Sequence, residues 1–171
     1  MHWGAISICG IRSSTFWIRL FYWECKMWNS AGPSFCLDTM DEAQLIEKAA
    51  QIRSRELSVC CITPEQCQYP VNLAAEDEKI REYSIRNFER AFYAAEIWNC
   101  PKVLVSAGCG YFNKPVEDAW KRSEESLYRL SEKAQKMGIL LVLETLTPLS
   151  SNVLNTPEQQ KEMISLMPSG S

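Results

Sequence analysis

The chain is poor in the residues that build most recognisable metal and nucleophile centres. It has a single histidine, His2, and none of its cysteines stand in CxxC spacing. A structural zinc cage draws on closely spaced Cys and His pairs, so none is expected. No apolar run approaches the ~20 residues needed to span a bilayer. There is no basic surplus either: 18 Lys and Arg stand against 21 Asp and Glu, a formal charge of −3. Proteins that grip nucleic-acid phosphates ordinarily carry a positive excess. Neither a membrane nor a nucleic-acid partner is therefore expected. The GxxxxGK[ST] and GxSxG motifs are absent, and Ser106-Ala-Gly-Cys-Gly110 lacks GxGxxG spacing. Gly4 to Ile11 is mildly apolar, but no basic stretch precedes it, and Arg12 and Arg19 stand where a leader would be cleaved. A cytoplasmic location is the expectation.

What is present describes a globular chain. Of its 171 residues 46% are apolar and 23% charged, which excludes a disordered polymer. Eight cysteines occur, at 9, 25, 36, 60, 61, 67, 100 and 109. Cys60 and Cys61 sit inside the apolar run Leu57–Ile62 and read as small buried hydrophobes, so reduced free thiols are expected. Residues 1–38 resist assignment, apart from a possible strand near Leu20–Cys25. Trp3, Trp17, Trp23 and Trp28 are dense there; they read as core packing or an interface, with an aromatic sugar platform as the sharper alternative.

From residue 39 the pattern is regular. Thr39 and Glu42 suit a capping box, and Leu45, Ile46, Ala49 and Ile52 then recur at helical spacing. Leu57–Ile62 reads as a strand, and Thr63–Pro70 as a loop. Glu76–Trp98 carries the stripe Ile80, Ser84, Phe88, Ala91, Phe92, Ala95 and Trp98, and Asn99-Cys100-Pro101 stops it. Lys102–Ala107 is a second strand. Pro115–Met137 is a second long amphipathic helix with proline in its first turn, and Gly138 fits a left-handed end. Ile139–Leu143 is a third strand, apolar on both faces. Thr156-Pro157-Glu158-Gln159 opens a last helix running to about Met167.

Short, continuously apolar strands alternating with helices indicate a parallel sheet covered by helices. The strands recur about every 40 residues, the size of one β/α unit. An open doubly wound sheet and a (β/α)8 barrel both fit. A barrel needs ~250 residues, so the barrel reading implies a partial one of about four units with parallel strands, occupying residues 39–171 as one domain.

In such folds ligands bind at the carboxyl ends of the strands. There Glu144 follows five aliphatic residues. A carboxylate in that position is costly to bury unless it is paired or bound to a cation. Either it serves a site, or it pairs with Lys or Arg of a neighbouring strand. Glu65 and Tyr69 lie in the loop after the first of these strands, where they line a site or simply shape a turn. Cys109 as a nucleophile lacks a base, because the one histidine is at the N-terminus.

Thr63-Pro64-Glu65 through Tyr69-Pro70-x-Asn72, Leu104-Val-Ser-Ala107 with Gly110-Tyr111, and above all Leu143-Glu144-x-Leu146-Thr147-Pro148-x-x-Ser151-Asn152-Val153 resemble the xylose-isomerase-like TIM-barrel superfamily. The resemblance is to sugar epimerases of the fructoselysine 3-epimerase and tagatose/psicose 3-epimerase type, over about residues 39–168. It implies proton transfer α to the carbonyl of a small ketose, ketose phosphate or related derivative. It also implies a divalent Mn, Mg or Co ion held by Glu, Asp, His and Glu. Glu144 matches the first of those ligands, which is also a catalytic acid/base. Glu65, Tyr69, Ser106, Cys109 and Asn152 fall at substrate-binding positions.

Three departures stand out. The remaining ligands would fall beyond residue 171, so this chain is expected not to hold the ion tightly and to be inactive alone. A relative has Glu near Ser150 and His near Cys109. Lys26 stands where Glu is expected, although Trp28, Phe35 and Asp38 fit. A half-barrel would also leave a sheet edge open to self-association. The alternatives are the apurinic-endonuclease branch of the same superfamily and a non-enzymatic fragment or binding module.

Overall fold

The computed structural model describes residues 6–8, 40–66 and 69–168. The proposed strand near Leu20–Cys25, the tryptophans of the N-terminal segment and Thr39 lie outside them. Four strands and four helices follow in the order β1 (Ile6–Ile8), α1 (Glu42–Arg53), β2 (Val59–Ile62), α2 (Glu78–Trp98), β3 (Lys102–Ser106), α3 (Val116–Lys136), β4 (Leu140–Glu144) and α4 (Pro157–Ser165).

The helix ends follow from local chemistry. α1 starts with a capping box, but its partners are Asp41 and Gln44, not Thr39 and Glu42. Gln44 N–H donates to Asp41 Oδ1 and Asp41 N–H to Gln44 Oε1, each at 2.9 Å. Asp is as good a cap as Thr, and Gln closes the box as Glu would. Asp77 caps α2 by accepting from Lys79 N–H at 2.8 Å, and Asn99 ends that helix in the left-handed region at φ 51°. Pro115 stands at the N-cap of α3 rather than inside its first turn. Gly138 takes φ 67° after α3, as expected. Thr156 and Gln159 form the expected box on α4, with Pro157 at its start.

The sheet runs β1-β2-β3-β4. β2, β3 and β4 are parallel, and β1 adds an antiparallel strand beside β2. The architecture is thus three parallel strands alternating with helices in an open sheet, preceded by α1. β3 and β4 pair in register over five residues, from Lys102 with Leu140 to Ser106 with Glu144. Residues paired this way share a face, and alternate residues point oppositely. Val103, Val105, Leu141 and Leu143 pack in or against the core with Leu127 of α3, beside a groove that Ile164 of α4 also lines, so they face the helices. Leu104, Ser106, Val142 and Glu144 therefore point to the other side of the sheet.

One core joins the layers. Phe88 and Phe92 of α2, Leu127 and Leu130 of α3, Ile62 of β2 and Val103 and Val105 of β3 are fully buried in it. Trp98 is buried against α1, its indole N–H donating to Leu45 O at 2.9 Å. Outside, Glu82–Arg129 and Glu89–Lys133 link α2 to α3. The Arg129 guanidinium beside Glu82 holds that carboxyl below its ordinary range.

Some expected core positions sit at the surface. Ile46 of α1 is exposed, one step round the helix from the buried Leu45, Ala49 and Ile52. β4 was expected to be buried on both faces, yet Leu140 is 46% exposed and Leu141 to Leu143 are half-buried. The reason is position: β4 is the edge strand, with β3 on one side only.

Small polar side chains take the tightest places on α3. Ser126 donates to Leu73 O at 2.8 Å and to Arg122 O at 2.9 Å. Ser123, fully buried, has a hydroxyl with no hydrogen-bond partner among the described residues. An orphaned buried hydroxyl is destabilising, whereas a satisfied one stabilises. Ser123→Ala should raise the free energy of unfolding by about 1 kcal/mol and Ser126→Ala should lower it by about 1 kcal/mol. Urea denaturation of the two variants beside the parent checks both signs.

Candidate functional site

The loops after β2, β3 and β4 meet at one end of the sheet, and side-chain amides join them. In the first loop, Gln66 Oε1 accepts from Ser106 N–H at 2.7 Å, tying that loop to the end of β3. Asn87 of α2 donates from its side chain to Glu65 O at 2.9 Å. Glu65 Oε1 accepts from Gln66 N–H at 3.0 Å. Further on, Asn72 reaches into the second loop, where Cys109 N–H donates to its Oδ1 at 2.9 Å and its Nδ2 donates to Cys109 O at 2.8 Å.

The third loop grips the second from the opposite side. Ser151 Oγ donates to Gly108 O at 2.6 Å, and Gly110 N–H donates to Asn152 Oδ1 at 2.8 Å. Asn155 closes this loop on itself, donating to Leu146 O and Ser151 O. Gln160 of α4 donates to Leu143 O at 2.5 Å, fixing the helix beneath the end of β4.

Among these loops lies a cavity of about 430 Å³, lined by Tyr69, Asn72, Ser106, Cys109, Tyr111 and Ser150 among others. It brings together three residues proposed from sequence: Tyr69, Ser106 and Cys109. Tyr69 is 88% exposed at the mouth, while Ser106 is buried. Asn152 points its oxygen at Gly110 N–H, with the Cys109 thiol 3.6 Å away. Glu65 sits behind the wall, engaged by its own loop and by Asn87.

Glu144 ends β4 directly beside Ser106. It points away from the helices and is partly buried. The ion pair with a neighbouring strand that sequence left open is not formed: among the described residues its carboxylate has no hydrogen-bond or ion-pair partner. Such a group is free to exchange a proton or donate to a cation. It is one donor only. Among the described residues no three His, Cys, Asp or Glu side chains converge, so these residues do not by themselves fit a divalent ion, which takes six or more oxygen ligands.

The described cysteines Cys60, Cys61, Cys100 and Cys109 are free thiols. Cys100 precedes β3, at the end of the sheet away from the cavity. Burial pushes its thiol up to about 11, and burial also raises Cys61. The sequence does not single out Gln66, Asn87, Asn155 or Gln160, and it offers Asn72 and Ser151 only within motifs. The available signal was the concentration of short amides and hydroxyls in the segments that follow strands.

A family model described as xylose isomerase-like TIM barrel matches residues 22–170. The chain belongs to the xylose isomerase-like TIM-barrel family. It is 29% identical over 151 residues to fructoselysine 3-epimerase of Escherichia coli O157:H7, covering 88% of this chain and 54% of that one. It thus spans about half the length of the curated relatives it matches. The structure of L-ribulose 3-epimerase superposes with a TM-score of 0.65 at 25% identity, over 74% of this chain and 44% of that one. D-psicose 3-epimerase of Clostridium cellulolyticum H10, solved with D-tagatose, gives a TM-score of 0.65 at 17% identity, over 76% and 46%. Another structure of this fold, the IOLI protein, was solved with a bound zinc atom (TM-score 0.59, 20% identity, 75% and 43% covered). The family is one of sugar isomerases and epimerases, and the described sheet matches part of the barrel of such proteins.

Gly108 is the tightest point of the rim. It adopts φ 81°, and a Cβ there would lie 2.4 Å from Asn72 Oδ1 and 2.7 Å from Ala74 N. Gly138 has a similar φ with open space around it. Gly138→Ala should cost only the left-handed backbone term, about 1–2 kcal/mol, and Gly108→Ala at least ~2 kcal/mol more. Parallel denaturant curves read the difference, and equal costs would show that the close approach is not as tight as described.

Proposed function

We propose that this chain carries the first part of a ketose-epimerase site, with the partial barrel comprising residues 39–171. In this reading Glu144 is the group that takes or returns a proton α to the substrate carbonyl, and it is one oxygen ligand of a divalent Mn, Mg or Co ion. Tyr69, Ser106, Cys109 and Asn152 line or shape the sugar pocket, with Glu65 behind them. The observation that carries the proposal is the place of Glu144. It stands at the carboxyl end of a parallel strand, beside Ser106, on the face opposite the helices, with its carboxylate unengaged among the described residues.

The chemistry agrees with that placement. Removing a proton next to a carbonyl needs a base fixed above one face of the carbon. A carboxylate on a strand end, with its strand locked in register, is so fixed. Returning the proton to the other face requires a second group. The relatives act, by name, on fructoselysine and on L-ribulose or D-psicose. Four free thiols among the described residues support a reducing, cytoplasmic setting.

One strand edge completes the proposal. β4, with the sequence Leu-Leu-Val-Leu-Glu, carries neither proline nor lysine, the residues that commonly protect edges. Self-association through this edge is the expected behaviour of the isolated chain.

Two measurements test these statements. With Mn²⁺ and D-psicose, L-ribulose or fructoselysine, the isolated chain should show no exchange of the ketose C3 proton into D₂O above a Glu144→Ala control. Turnover clearly above that control would overturn the incomplete-site reading. Light scattering coupled to size exclusion should find dimers or larger species that shift toward monomer in Leu140→Lys. A parent chain that elutes as a clean monomer would remove the edge proposal.

A further inference from the structure

The segment Gly108–Gly110 forms part of the cavity wall, yet no regular secondary structure holds it. Two loops hold it from opposite sides. Ser151 and Asn152 engage Gly108 O and Gly110 N–H from the β4 side. From the β2 side one side chain, Asn72, makes all the contacts. Its Oδ1 accepts from Cys109 N–H at 2.9 Å and Ala74 N–H at 3.0 Å, and its Nδ2 donates to Cys109 O at 2.8 Å. The Asn72 N–H in turn donates to Ser84 Oγ at 2.7 Å, and Ser84 is fully buried on α2. The clamp is therefore anchored in the core. The absence of a side chain at Gly108 is what admits it.

We infer that Asn72 is a positioning residue of the proposed ketose site, fixing the Cys109 peptide and thereby the place of the Cys109 thiol in the cavity wall. The inference rests on the reading of that cavity as a sugar pocket. Its geometric content concerns three hydrogen bonds alone. Asparagine serves here because it offers an acceptor and a donor from one planar group. Aspartate would keep both acceptor bonds, lose the donor, and set a lone pair against Cys109 O. Alanine would leave Cys109 N–H and O without their partners.

The test uses the full chain and reads each thiol separately. The parent, Asn72→Ala and Asn72→Asp are treated with iodoacetamide at pH 8, and modification is followed by peptide mass spectrometry. Cys100, buried just before β3, and Cys61, half-buried on β2, report general loosening. In Asn72→Ala, Cys109 should react roughly tenfold faster while Cys61 and Cys100 keep the parent's rates. Asn72→Asp should fall between, a partial rescue that lost packing alone would not give. An unchanged Cys109 rate in Asn72→Ala, or a rise shared with Cys100, overturns the inference. Titration of the parent with D-psicose, followed by saturation-transfer NMR, tests the sugar reading independently. Absence of binding there would sink the ketose assignment while the thiol rates still decide the clamp.

Discussion

The five-residue parallel register between β3 and β4 governs the rest of the rim. It sets Ser106 and Glu144 side by side and sends both to the face opposite the helices. A slip of one residue would turn Glu144 toward Leu127 and Ile164, into an apolar groove where a carboxylate could not remain charged at tolerable cost. The apolar residues on the helix side, Val103, Val105, Leu141 and Leu143, therefore protect the placement of the acid. The greasy half of each strand dictates where its polar end points.

Above the strands the architecture changes character. Where the loops meet one another, amide and hydroxyl side chains do much of the joining. Gln66, Asn72, Asn152 and Asn155 each bond to backbone in a neighbouring loop or across their own. Such bonds are individually modest, but they are directional, so they determine orientation as well as proximity. With Ser106 N–H, Gly108 O, both backbone groups of Cys109 and Gly110 N–H so engaged, Tyr69 and Ser150 are left exposed at the rim.

The layered α/β fold was legible because its signals are local and repeated. The stripe on α2, the proline and glycine flanking α3 and the box opening α4 all rest on spacing within a few residues. Ile46 and β4 show where such signals stop. Their exposure depends on what lies across from them, and a strand's composition is the same whether it sits at the centre or the edge. The rim was legible only in part. Glu144 could be singled out because a charge after five aliphatic residues is costly wherever it lies. Asn72 and Gln66 could not, since an amide in a loop is ordinary until the distant backbone it serves, some 37 or 40 residues on, is brought beside it.

The order of strands in the sheet, β1-β2-β3-β4, repeats their order along the chain. For the parallel part this has a bearing on biosynthesis. Each strand docks on one that has already left the ribosome, and each helix covers a surface made by residues just before it. Growth of the sheet during translation is thus vectorial, each closure spanning one β/α unit of about 40 residues. The joining amides break this sequence: Asn72 has to wait for Cys109, and Gly110 for Asn152. The framework consolidates first and the rim above it matures a step behind, strand by strand.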